Sequence, residues 1–192
     1  MRKLSLFVIS MLLLGCSSSV ENATRFYVLP ELDPVVVDRD ESLPLMMVKK
    51  VELASYLESA GIVYRTSETE VIQARNNQWA ESIRGQITQY LIQSLRQSQS
   101  KYWPVSSEAF NAESDDVTLR VSLDKFNGAF TGNAEVSGEW ELVRENGAFV
   151  MSEVFSIEVP LEQDGYAALV SALSLGTQKL ARDIAEKIAV RD

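Results

Sequence analysis

Three consecutive segments in the second half of the chain, Val117 to Phe126, Ala134 to Arg144 and Phe149 to Val159, alternate apolar and polar residues. Side chains on a strand point to opposite faces in turn, so each segment predicts a strand with one dry and one wet face. The connections at Gly128 to Asn133 and Glu145 to Gly147 are short and turn-forming, which orders the three as an antiparallel meander. A sheet with one apolar face must be covered, and two helical patterns can cover it. Asp164 is placed to cap a C-terminal helix with the inward stripe Tyr166, Leu169, Leu173, Leu180, Ile184 and Ile188; Gly176 falls on that stripe and predicts a close approach to the sheet. The other pattern runs from Trp79 to Ser98, with Trp79, Ile83, Ile87, Leu91 and Leu95 spaced by four and Tyr90 alongside. Asn77 is placed to cap it, and Glu81 suits the positive end of its dipole.

Shorter strands precede these elements. Arg25 to Leu29 is a strand candidate closed by Pro30, followed by a loop to Pro44 that isolates it from the next strand. Leu45 to Leu53 is apolar with a charged interruption, Ala54 to Ser59 a short helical turn ended at Gly61, and Ile62 to Arg65 and Glu70 to Ala74 are two further strands; Lys101 to Val105 follows the first long helix. The sum is one α/β domain: a mixed β-sheet with an antiparallel meander, covered by two long helices.

The N-terminus has a different character. Arg2 and Lys3 precede the apolar run Leu4 to Leu14, which ends at Gly15-Cys16, the order of an export signal. Eleven helical residues cover about 17 Å against a hydrocarbon core of about 30 Å, too little to span. The tail Leu13-Leu14-Gly15-Cys16 resembles a lipobox, where the Cys sulfur takes a diacylglycerol. Cys16 is the only cysteine, so the mature chain has no disulfide framework. The expected division is a signal peptide over 1–15, a lipidated Cys16 with a polar tether to residue 24, and a domain over 25–192. Several hydrophobic anchors on one residue hold firmly where a single chain binds reversibly. Ser17, in place of the Asp that marks inner-membrane retention in Gram-negative lipoproteins, points to the outer membrane.

The composition excludes much chemistry. Loss of Arg2 and Lys3 with the signal moves the formal charge from −9 to −11, which disfavours nucleic acid as a partner. There is no histidine, so imidazole catalysis and HExxH zinc sites are absent, and the one thiol is assigned to lipid. Asp38 to Glu41 lacks the glycine turn of a calcium loop and reads as a solvated acidic stretch, as do Asp115-Asp116 and Glu139 with Glu141. No catalytic residue, no metal site and no cofactor beyond the covalent lipid on Cys16 is expected, although two carboxylates alone can suffice for glycoside hydrolysis.

The stretch from Val51 to Leu95 resembles the ABC-type transport auxiliary lipoproteins: Tyr56-Leu57, Gly61-Ile62-Val63-Tyr64, Thr66-Ser67, and Asn76-Asn77 followed by Trp79-Ala80. Phe126 to Trp140, Gln163 to Tyr166, the lipobox and Phe26-Tyr27 extend the likeness over nearly the whole chain. The resemblance implies a non-enzymatic role in an MCE/Pqi-type intermembrane lipid transport system, with a PqiB-like periplasmic MCE protein and a PqiA-like inner-membrane protein as partners. An envelope lipoprotein that activates another machine, such as a peptidoglycan synthase, is the other reading. Because MCE proteins form rings, a homo-oligomeric ring is expected. Phe126, Phe130, Val136 and Trp140 on the meander hairpin are the candidate contact residues.

Overall fold

The computed structural model describes residues 23–32, 41–98, 101–107, 116–144 and 146–190. The signal segment, Cys16 and Ser17 lie outside them. The described chain forms a nine-stranded mixed sheet and two long helices, the expected class.

The meander is its backbone. Strands β7 (Val117–Ala129), β8 (Asn133–Arg144) and β9 (Phe149–Pro160) are antiparallel, with β8 hydrogen-bonded on both sides. Val117, Leu119, Val121, Leu123, Phe126, Ala134, Val136, Trp140 and Leu142 are buried. The alternation slips once, between Leu123 and Lys125, where Asp124 forms a bulge opposite Gly138. A Cβ on Gly138 would fall 1.9 Å from the Ser122 carbonyl oxygen, so the bulge requires glycine there.

The other edge of β7 is shared along its length by three short parallel strands. Strand β2 (Leu45–Val48) pairs with its start, β3 (Glu52–Leu53) with its middle and β4 (Gly61–Arg65) with its end. The charged pair Lys49-Lys50 separates β2 from β3. Strand β6 (Trp103–Ser106) adds parallel to β2, β5 (Val71–Trp79) antiparallel to β4, and β1 (Arg25–Tyr27) parallel to β5. The first strand therefore joins the sheet through β5.

The first helix begins later than its periodicity predicts. Helix α1 is Ile83–Ser98, and Trp79 ends β5, donating its N–H to Ala60 O at 2.8 Å. Asn77 is a strand residue paired with Arg25, so it caps nothing, and no acidic residue, Glu81 included, lies in the first helical turn. The reason is pairing on both sides: β4 and β1 bind residues 77–79 as a strand, while Trp79 keeps the spacing of the helical stripe only by position. Trp79 is still buried, 6.2 Å from the Phe126 ring centre.

Helix α2 (Tyr166–Val190) lies on β8 and β9 and touches α1, where Gln178 Nε2 donates to Tyr90 Oη at 2.7 Å. Gly176 sits where expected; a Cβ there would come within 2.7 Å of Val136 Cγ2. Helix side chains also satisfy buried backbone donors of the loops: Gln86 Oε1 accepts from Leu29 N at 2.8 Å and Thr88 Oγ1 from Val51 N at 3.0 Å.

Candidate functional site

With the helices on one face, the other face of the meander carries the polar half of each alternation. Arg120 pairs with Glu141 at 2.8 Å there, and Glu139 is exposed. Asp116 departs from the solvated reading: it is buried and accepts the Leu45 N–H at 2.7 Å, fastening β2 beside β7.

One part of this polar face is closed over. Glu135 is only 4% exposed. Its carboxylate accepts from Arg65 Nε at 2.9 Å, from a second guanidinium nitrogen of Arg65, and from Asn127 Nδ2 at 2.9 Å, with Lys125 Nζ at 3.8 Å. Burial pushes the Glu135 carboxyl up, but the hydrogen bonds from Arg65 and Asn127 and the nearby cations outweigh it and hold it below the ordinary range. The hydrogen bond to Glu135 likewise keeps Arg65 charged. Arg65 also lies over the Phe130 ring, 5.0 Å from its centre. Beside this network Tyr56 donates to Asp124 O at 2.6 Å; burial, then the Asp124 charge, raises its hydroxyl pKa. The network is a fully partnered structural lock and offers no free nucleophile or acid. Among the described residues no group of three His, Cys, Asp or Glu side chains could hold a metal ion.

Of the candidate contact residues, Phe126, Val136 and Trp140 are core, at 4%, 1% and 1% exposure, and only Phe130 is exposed. Their assignment to a surface is corrected: they occupy the inward positions of β7 and β8, and β8 has both edges paired. Two other surfaces are open. The outer edge of β9 pairs with no strand among the described residues and exposes Val154, while Phe149, the first residue of the strand, is exposed at the end of the sheet. At one end of the sheet three turns converge: 66–70, 130–132 and 161–165, joined by Phe130 N to Arg65 O at 2.9 Å and Leu161 N to Gly132 O at 3.0 Å. Beside them lies a cleft of about 600 Å³ walled by Tyr64, Ile72, Leu161, Tyr166 and Leu169. Gly128 makes room for one wall, since a Cβ there would strike the Tyr64 ring at 2.5 Å.

The sequence reading missed both the Glu135 network and this end. Glu135 and Asn127 stand at wet positions of their strands, and nothing within either strand shows that Arg65 of β4 closes over them. Val71 and Ile72, exposed at the turn end, were the only signal: two apolar residues in succession at a strand start.

The model of the ABC-type transport auxiliary lipoprotein component matches residues 27–185, nearly all of the described fold. The chain belongs to the ABC-type transport auxiliary lipoprotein family. Within this family, the chain is 32% identical over 189 residues to the intermembrane transport lipoprotein PqiC of Escherichia coli (strain K12), covering 98% of each chain, and the same holds for PqiC of Shigella flexneri. A solved uncharacterized protein is 28% identical and superposes with a TM-score of 0.73 over 86% of this chain and 99% of its own. A Xanthomonas campestris protein shares the fold, with a TM-score of 0.65 at 15% identity over 88% of this chain and 94% of its own. The family is described as a transport auxiliary component, and both curated relatives are named as intermembrane transport lipoproteins.

Proposed function

We propose that this lipoprotein is the outer-membrane subunit of a PqiABC-like intermembrane lipid transport system and acts by docking a periplasmic MCE tunnel protein. The likeness to PqiC along 98% of both chains carries the reading, because it includes the N-terminal segment with Cys16 as well as the folded domain. In this reading the acylated Cys16 holds the domain on the membrane and Ser17 directs it to the outer one. A PqiB-like protein reaches it across the periplasm from a PqiA-like inner-membrane partner.

The domain acts as a ring, and the edge of β9 is the contact. A long unpaired strand edge is a template for a neighbouring strand, and a contact between two different edges closes into a ring when its rotation allows. Co-purification of the lipidated protein in detergent tests the docking. Recovery of an MCE protein supports it, and recovery of a peptidoglycan synthase without one overturns it in favour of a scaffold for cell-wall synthesis. Light scattering of the mature domain, alone and with the partner's periplasmic region, tests the ring. A monomer in both conditions refutes it, and an intact ring after Val154→Lys removes β9 as the contact.

A further inference from the structure

We infer that the domain stands on the bilayer by the end where its three turns meet, pressing Val71, Ile72 and Phe130 against a zwitterionic lipid surface. The inference rests on the reading that Cys16 carries lipid, and it adds which face of the protein that lipid holds down.

The direction of β1 carries it. Strand β1 is parallel to β5, with Arg25 beside Asn77 and Tyr27 beside Trp79. Going back from Arg25 toward Cys16, the chain leaves β1 heading for the start of β5, where Val71 and Ile72 lie next to the turn 66–70. Eight residues lie between Cys16 and Arg25, nine steps of chain that span about 30 Å at most at roughly 3.3 Å per step. Asn77 to Val71 is six residues of strand, about 20 Å by the same rise. Fully extended, a tether of that length is long enough to span the distance to the turn end. The opposite end, with the 144–148 turn and the end of α2, lies the other way along the sheet, and a tether bound there would first have to reverse.

The side chains at the turn end agree with that placement. Val71, Ile72 and Phe130 are 43%, 45% and 48% exposed and come from three positions around one rim. Arg65 is held beneath Phe130 by Glu135, which fixes the hairpin tip. The same rim carries the exposed acids Glu68, Glu70, Glu158, Glu162 and Asp164. That charge selects the kind of surface: a negatively charged bilayer repels it, and a zwitterionic one does not.

The lipidated protein, its acylation first confirmed by mass spectrometry, is reconstituted in phosphatidylcholine–phosphatidylethanolamine vesicles as single-thiol variants Ile72→Cys, Phe130→Cys and Phe149→Cys. Cys16 being acylated, the introduced thiol is the only one open to a fluorophore, and a quencher confined to the bilayer reads its proximity. Quenching at positions 72 and 130 at least threefold stronger than at 149, and weakened by added phosphatidylglycerol, is expected. Equal quenching at the three positions, stronger quenching at 149, or no quenching at any overturns the orientation. Protein that carries no acyl chain would instead refute the lipoprotein reading on which it rests.

Discussion

Replacing Arg65 with Met removes both guanidinium hydrogen bonds to Glu135 while keeping an apolar stem over the sheet. Glu135 is then left with Asn127 at 2.9 Å and Lys125 at 3.8 Å. Removing one partner of a fully buried ion pair costs about 3–5 kcal/mol. Here the Arg65 and Lys125 side chains are 18% and 42% exposed, so water and Lys125 offset part of the loss, and about 2 kcal/mol is expected at pH 7. The pH dependence distinguishes this cause from simple loss of packing. In the native protein the Glu135 carboxyl lies below its unfolded value of about 4.3, so its contribution is present above that pH and is lost as pH falls through the lower folded value. In the variant, burial without Arg65 moves the carboxyl the other way. The folded state then binds the proton more tightly than the unfolded chain, and stability rises as the medium is acidified. The two trends converge, so the difference should narrow as the pH falls from 7 to about 4. Urea unfolding followed by tryptophan fluorescence at both pH values measures it, and Arg65→Met with Glu135→Leu should recover most of the loss. A difference that stays flat between the two pH values would refute the electrostatic account.

Trp79→Ala should destabilise the domain by about 3–5 kcal/mol, as for a large buried aromatic; a loss below about 1 kcal/mol in urea unfolding would show that the Phe126 contact contributes little. Gly176→Ala gains up to about 1 kcal/mol of helix propensity but drives a methyl to 2.7 Å from Val136, for a net loss of about 1–2 kcal/mol. A raised thermal midpoint would mean that Val136 yields. Cys16→Ala should release the protein from the membrane fraction after a carbonate wash, and retention without an acyl chain would defeat the anchoring argument. Ser17→Asp should shift the protein toward inner-membrane density, an unchanged position counting against the sorting role.

The sequence made the meander and the C-terminal helix legible because each buries one face, so a period of two or 3.6 runs unbroken through it. Gly176 was readable for the same reason: a glycine on an apolar stripe has few uses other than close approach. The error at Trp79 came from the junction between two periods. Residues 77–79 lie against β1, a strand distant in sequence, so the helical spacing continued back through a segment that pairing holds extended. The contact residues failed by a related route. Phe126, Val136 and Trp140 are aromatic or apolar on a hairpin, which suits an interface and a core equally, and the packing of α2 on that face, with Gly176 against Val136, decides for the core. Glu135 is the opposite case, a charged residue at a wet position that a single residue from another strand encloses.

The two open surfaces are compatible with one assembly. Helix α2 has 25 residues, about 37 Å at 1.5 Å per residue, and packs against β9, whose outer edge pairs with no strand among the described residues. In a cyclic ring every copy is related by rotation about one axis. If that axis is normal to the membrane, all turn ends lie on one rim and all β9 edges face sideways toward neighbours. A lateral contact through β9 therefore leaves the turn ends free to meet lipid, whereas a contact through the turn ends would bury Phe130 and turn the tethers inward. On the proposed reading, the opposite rim, about 37 Å away by the length of α2, is the surface that a partner arriving across the periplasm would meet first. Substitution of the exposed Phe149 at that rim should accordingly weaken partner recovery without releasing the protein from the membrane, and a loss of membrane association instead would reverse the assignment of the two ends.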